Sequence, residues 1–534
     1  MADTNSITPL DIQTVENGFY RGFNPVVAIS TKILIMGFVV LLIALPEKAG
    51  QILFMLKGVT LSVFAAWYIY LLAAFVVFCL VLVALPVSAR VRLGPDNAVP
   101  EHSTTAWLSM MFCAGIGIGI LVFSVSEPLS NFQTNPDIMA GLVAAETAAT
   151  VPSAMRFVYL HWGLSAWGTY AIIGLALGLA CHRYGQPMTM RSALVPLFGH
   201  RLEGFFGHVV DVLSLLAIIT GITTTIALGL EQILSGLSTL TGSPLFADQF
   251  GNPPLTALLT VLVVAISVAI ASIISGPHRG VKWISQTGIL LAFSVFLIFV
   301  VFGGKFQVLN VFATSAWAYV AQLPSAITAL YPSGPAGDWQ GDWTIFYWAW
   351  WIAFAPFVGL FLAQISYGRT LREFILGAML APTAMCFAWF AGTGGSALLM
   401  ELDGRAGGRI LEAEHAFRIY AAIQVMLAPF AANLVNGLLV LLFLLLVVAS
   451  TTAAVIAIKS IGAAGSSHGE SPFHSFLWAV VIAAITGAVM AVGGVDSIRD
   501  LMIVGAVPFS FIMALMLVAI VFMVRDAAHP KTRA

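Results

Sequence analysis

Asp342-Trp343-Thr344-Ile345-Phe346-Tyr347-Trp348-Ala349-Trp350-Trp351-Ile352-Ala353 opens an apolar run that continues through Phe354, Pro356, Phe357 and Phe361 to Ile365. Four of the chain's 13 tryptophans lie in these twelve residues. Tryptophan in a lipid-facing helix gathers at the two headgroup belts, yet Trp350 and Trp351 lie well inside the run. At about 100° per residue, Trp348, Trp351 and Phe354 fall near one helix face and Trp350 turns towards its neighbour. Electron-rich ring faces at membrane depth suit a cation with no N–H to donate, such as a quaternary ammonium group. Aromatic helix packing with one interfacial belt is the competing reading.

The rest of the chain defines the solvent of that run. Of 534 residues, 60% are hydrophobic and 9% charged, with a mean hydropathy of +0.97, which excludes a soluble globular protein. Apolar stretches long enough to cross a hydrocarbon core as helices predict twelve spans, near 30–46, 60–85, 106–128, 151–180, 206–240, 255–275, 284–303, 342–366, 371–394, 433–458, 475–494 and 501–524. With an even number of spans both termini share a side. That side collects 15 of the 23 Lys and Arg, among them Arg90, Arg92, Arg183, Arg369 and Arg372, and the other side 8, so both termini are expected in the cytoplasm of a bacterial-type inner membrane. The formal charge of −1 points to no nucleic-acid partner, and the polar approach to the first span does not read as a cleavable signal. Four scattered cysteines, without CxxC or His-rich spacing, indicate neither a disulfide nor a metal site.

The third span contains Cys113-Ala114-Gly115-Ile116-Gly117-Ile118-Gly119. Three alternate glycines each cost a helix about 1 kcal/mol relative to alanine, and in lipid the freed backbone needs a partner other than water. A helix that unwinds to expose carbonyls to an ion or substrate accounts for them. Close packing through Gly115 and Gly119 is the alternative, although Gly117 adds nothing to such a face. Glu127-Pro128, at the exit of this span, reads as an interfacial cap. In the fourth span, Trp162, Trp167 and Tyr170 alternate with Gly163, Ser165, Ala166 and Gly168 and could form a second wall opposite Trp348, Trp350 and Trp351. No His, Asp or Glu cluster within the spans suggests enzymatic chemistry.

The 342–353 stretch, continued by Pro356-Phe357-Val358-Gly359 and Ile365-Ser366-Tyr367-Gly368-Arg369-Thr370-Leu371-Arg372-Glu373-Phe374, closely resembles the signature of the betaine/choline/carnitine transporter (BCCT) family. The glycine-rich run with Glu127-Pro128-Leu129, the His161–Tyr170 run and the twelve-span layout resemble the same family in the same order. That resemblance implies an all-α polytopic membrane protein with a LeuT-like core of two inverted five-helix repeats, 106–303 and 342–524. Around them it implies a cytoplasmic segment 1–29, two peripheral helices in 30–105, a linker 304–341 with an amphipathic helix near 310–330, and a short tail 525–534. It also implies a homotrimer in the lipid bilayer.

For the site, the resemblance implies an aromatic box of Trp162, Trp167, Tyr170 and Trp351 around a trimethylammonium head, with Trp350 a further contact and Phe354 where a tryptophan is common. Gly115, Gly117 and Gly119 would line the same site. Gly119 matches a position that is acidic in choline-preferring members, which makes a zwitterion of the glycine betaine, carnitine, dimethylsulfoniopropionate or trimethylamine N-oxide class the expected substrate. The implied coupling is to sodium, held by backbone near Cys113 and Ile116 and by hydroxyls at Ser450 and Thr451. Ala449 stands where a Thr is usual unless the register slips by one, and Ile218 and Ile222 fall at positions that elsewhere carry ion-linked hydroxyls. Proton coupling or exchange of choline-like compounds stays open, as does a substrate-gated channel or sensor. Glu231, late in the fifth span, is the remaining ionisable candidate. The short tail, with few basic residues, predicts uptake that is not osmotically switched.

Overall fold

The computed structural model describes residues 8–115, 117–275, 282–331, 333–465 and 472–528. Backbone in a bilayer must satisfy its hydrogen bonds within the segment, and the described residues are accordingly helical, with two isolated bridges, Val15–Arg21 and Arg92–Thr370, in place of strands. In order the helices are α1 (Pro25–Ala44), α2 (Pro46–Ala84), α3 (Thr104–Gly115), α4 (Ile118–Gln133), α5 (Pro136–Met139), α6 (Thr150–Trp162), α7 (Leu164–Leu177), α8 (Val195–Phe198), α9 (Phe205–Thr241), α10 (Leu255–Ile274), α11 (Lys282–Ile298), α12 (Gln307–Ala326), α13 (Gly334–Gln340), α14 (Phe346–Gln364), α15 (Leu371–Leu402), α16 (Arg418–Met426), α17 (Pro429–Gly462) and α18 (Pro472–Ala528).

Ten helical segments among the described residues are long and apolar enough to cross a membrane. α3 and α4 fall short singly because the chain leaves the helix between them, with Gly117 extended at φ −127, ψ 179. The glycine-rich span is therefore broken where the sequence predicts it. The last two expected spans join in the 57-residue α18, which is interrupted by Gly493 and by Gly494 at φ 62, a left-handed conformation that favours glycine. α2 starts at Pro46 rather than near 60. Its polar residues look like a loop in the sequence, but Pro46 can begin a helix and Lys57 is held by Asp500 at 3.1 Å and Asp342 at 3.5 Å. The predicted linker helix is α12, whose Tyr319 hydroxyl accepts the Leu164 N–H at 3.2 Å.

Burial sorts the spans into shell and core. The most apolar windows of α1, α10 and α11 are 33% buried, whereas those of α6–α7, α9 and α13–α14 are 94%, 83% and 83% buried. A helix apolar on all sides and enclosed by others belongs to the interior of the bundle. α7 and α14 come together through glycine: a Cβ on Gly359 would stand 2.4 Å from Ile173, and one on Gly174 3.1 Å from Leu362. Residues 8–24 lie across one end of the bundle. Asp11 N–H donates to Glu203 at 3.0 Å, Leu10 N–H to Gln186 at 3.0 Å and Asn24 N–H to Gly462 O at 2.9 Å, and Phe19 O contacts His474 Nε2 at 2.7 Å.

Two expectations follow. Gly359→Ala overpacks the α7–α14 contact and should destabilise the protein by about 1–3 kcal/mol, visible as a lower Tm of the purified protein; an unchanged Tm would contradict so close an approach. The Glu203 carboxyl is held below the usual carboxylate range, first by the Asp11 N–H and then by His200. A lowered folded-state pKa contributes stability above the unfolded value that is lost as pH falls through the folded one. Protection of the Asp11 amide from hydrogen exchange, taken relative to its intrinsic rate, should therefore be high at neutral pH and fall below about pH 4, and Glu203→Gln should flatten that dependence.

Candidate functional site

The bundle core is built around one carboxylate. Glu127 and His161 are both 0% exposed. Glu127 Oε1 lies 2.6 Å from His161 Nδ1, and Oε2 accepts the Trp162 indole N–H at 2.8 Å and the Tyr347 hydroxyl at 2.6 Å. His161 Nε2 is 3.0 Å from Thr344 Oγ1. A proton on Nδ1 with Nε2 accepting from Thr344 satisfies both contacts. A bare carboxylate this deep would cost several kcal/mol; three polar partners on α4's neighbours offset that cost. Glu127 is therefore a buried hub and not an interfacial cap, and with His161, 34 positions further on, it forms an ionisable pair inside the spans that this separation conceals in the sequence.

Local irregularities aim these groups. Pro128 lies within α4 and cannot donate to Ser124 O, which instead accepts from Thr393 Oγ1 at 3.3 Å. Gly163, at φ −94 and ψ −136, separates α6 from α7, and the free His161 carbonyl accepts the Trp351 N–H at 2.8 Å. A π-helical turn, Gly341–Ile345, precedes α14 and carries Thr344 to His161. Such turns recur at functional sites.

The aromatic walls meet beside the hub. Trp162 packs edge-on to Trp351 at 5.0 Å between ring centroids and to Trp350 at 6.3 Å, while Trp350 and Trp351 stack at 5.5 Å. Tyr170 approaches Trp351 at 6.1 Å and Trp167 stands 5.4 Å from Tyr170. Trp350 donates its N–H to Thr225 Oγ1 at 3.3 Å. The indole N–H groups of Trp162, Trp350 and Trp351 are thus all occupied. Gly119 belongs to the cluster, since a Cβ there would meet Trp350 at 2.7 Å and Trp162 at 2.9 Å, whereas Gly117 faces open space. Phe354 touches Trp350 at 6.3 Å but turns towards Ile218, Ile222 and Phe357. Trp348 does not join the wall: it packs edge-on against His161 at 5.8 Å and its buried N–H has no partner among the described residues.

The expected ion site is only partly visible. Ile116 lies outside the described residues, as do the side chain of Cys113 and the surroundings of Gly115. Ser450 is half-buried, Thr451 donates to Val447 O at 2.8 Å, and the neighbouring Thr452 hydroxyl is buried with no partner among the described residues. No group of three or more His, Cys, Asp or Glu that could hold a metal occurs among the described residues. Glu231 is half-buried.

A helical bundle with a broken core helix and an aromatic site enclosed at mid-depth is the architecture of a membrane transporter. Residues 25–529 match the family described as BCCT, betaine/carnitine/choline family transporter, and the chain belongs to that family. It is 32% identical to a glycine betaine transporter of Acinetobacter baylyi over 93% of this chain and 72% of that protein. It is 31% identical to a glycine betaine/proline/choline/ectoine transporter of Vibrio parahaemolyticus over 97% of this chain and 90% of that one. An osmo-dependent choline transporter of Acinetobacter baylyi is 32% identical over 85% of this chain and 64% of its own length. The chain is a multi-pass membrane transporter and not an enzyme.

Tyr347→Phe tests the hub. A hydrogen bond to a charged group is worth about 1.5–3 kcal/mol, so the variant should unfold at a clearly lower temperature, and a Tm equal to that of the parent would contradict the contact.

Proposed function

We propose that this protein imports a quaternary-ammonium or related zwitterion, with glycine betaine as the leading member of the class, by alternating access between two inverted repeats of five helices. The observation that carries the reading is the wall of Trp162, Trp350 and Trp351, whose N–H groups are all engaged elsewhere, so that ring faces are what remains for a ligand. Such faces attract a methylated cationic head and offer nothing to a group that needs a hydrogen-bond donor. Gly119 places no carboxylate in the cluster, which favours a zwitterion over a bare cation. The relatives named for glycine betaine and choline support the class.

Counting α3 with α4 as one broken crossing and α18 as two adds to the long segments to give twelve crossings, with both termini cytoplasmic in an inner membrane and the assembly a trimer. Sodium is the proposed driver, held by the Ser450 and Thr451 hydroxyls and by backbone near Cys113 and Ile116. At the positions that elsewhere carry ion-linked hydroxyls, Ile218 and Ile222 supply no oxygen and border an apolar gap with Phe354 and Phe357.

Labelled glycine betaine should accumulate in proteoliposomes against its gradient and with saturation; uptake that only equilibrates defeats a transporter in favour of a channel. Trp351→Leu should weaken binding about tenfold and Trp351→Phe less, since a desolvated cation–π contact is worth about 1–2 kcal/mol. Replacing sodium by potassium at fixed pH should abolish accumulation, and full retention would transfer the driving force to protons or exchange.

A further inference from the structure

The Glu127 carboxylate stands directly behind the aromatic wall, and its described hydrogen-bond partners are His161, Trp162 and Tyr347, with no Lys or Arg among them. All three partners are themselves π systems, and two of them, Trp162 and Tyr347, pack against the rings of the wall. Tyr347 lies 5.5 Å from Trp162, 5.7 Å from Trp351 and 6.3 Å from Trp350, the last two in stacked geometry. Donating an N–H or O–H to an anion pushes electron density into the donor's ring, which deepens the negative potential of the face that a cation meets. Inside a fully buried site this influence is weakly screened. The guanidiniums in this region are engaged elsewhere: Arg418 donates to Ser126 O at 3.1 Å and Ser130 Oγ at 2.9 Å, and Arg499 meets the Phe346 ring at 4.3 Å and Asp342 O at 3.2 Å.

We propose that Glu127 is the specificity-determining residue of the aromatic site: without touching the ligand, its carboxylate acts through the Trp162 N–H and the Tyr347 O–H to make the rings select a permanent positive charge over an uncharged body of the same shape. The proposal rests on the onium reading above. It differs from a purely structural role, because a residue that merely holds the indoles in place would affect a charged ligand and its neutral counterpart alike.

The test pairs glycine betaine with 3,3-dimethylbutanoate, its carbon isostere lacking the cationic nitrogen, and measures both affinities by calorimetry on purified protein. The parent should prefer glycine betaine. Glu127→Gln, close in shape but uncharged, should reduce the preference ratio about tenfold, the size of one desolvated cation–π contact, chiefly through weaker glycine betaine binding. Tyr347→Phe, which keeps the charge and one of the two relays, should reduce it less. If Glu127→Gln does not fold, replacing Trp162 by 3-benzothienylalanine keeps a bicyclic ring and deletes only the N–H relay, and should lower the ratio about threefold. A parent that binds neither compound overturns the onium reading itself. A parent that discriminates, together with variants whose ratio is unchanged, overturns the role of Glu127 and leaves that reading standing.

Discussion

A carboxylate enclosed in a membrane protein must be surrounded by donors or be expelled, and the packing of this core is arranged to supply them. Glu127 draws the end of α6, through His161 and Trp162, and the start of α14, through Tyr347, onto α4. The second layer follows from the first: His161 fixes Thr344 with one ring nitrogen and Trp351 with its carbonyl. Three helices that are remote in sequence are thereby held in register at one point. Every ring of the aromatic wall takes its position relative to that point.

Glycine supplies the complementary condition. Polar contacts of 2.6–2.8 Å across helices require backbones to approach closely, and the approaches fall at glycines: Gly119 under Trp162 and Trp350, Gly359 against Ile173, and Gly394, where a Cβ would stand 2.3 Å from Pro128. In the absence of a hydrophobic driving force between helices in lipid, small residues and buried hydrogen bonds are what remain to hold a bundle together. The outer helices, only a third buried, need neither.

Much of this was legible in the sequence because it is local. Hydropathy gives a helical membrane bundle, alternate glycines give the break in the helix at Gly117, and the tryptophan run gives one wall of the site. The resemblance of those runs to a known family supplied the partner wall. What the sequence hid is non-local. Glu127 beside a proline looks like a terminus until Tyr347, 220 residues away, is seen bonded to it. Trp348 has the spacing of its neighbours, yet the kink at Gly163 and the π-turn at 341–345 rotate the surfaces so that it meets His161 instead of the wall. The early start of α2 was masked because Lys57 finds its carboxylates on helices α18 and the approach to α14, which no window of contiguous residues reveals.

The strap at residues 8–24 has a mechanical consequence. It is anchored on Glu203, between α8 and α9, through Asp11, and on His474 of α18 through Phe19. Asp11 and Phe19 are eight positions apart, and a fully extended chain spans at most about 3.6 Å per residue. The strap is therefore a leash of at most roughly 29 Å between the approach to α9 and the start of α18. Any rearrangement that parts them at this end pulls against the backbone hydrogen bonds inside the strap, Val15 N–H to Phe23 O at 3.0 Å and Gly22 N–H to Val15 O at 2.7 Å, before that length is reached. Beyond that distance it must break the Asp11 or the Phe19 anchor, so the strap sets a limit of travel on one face of the protein that the opposite face does not share through it.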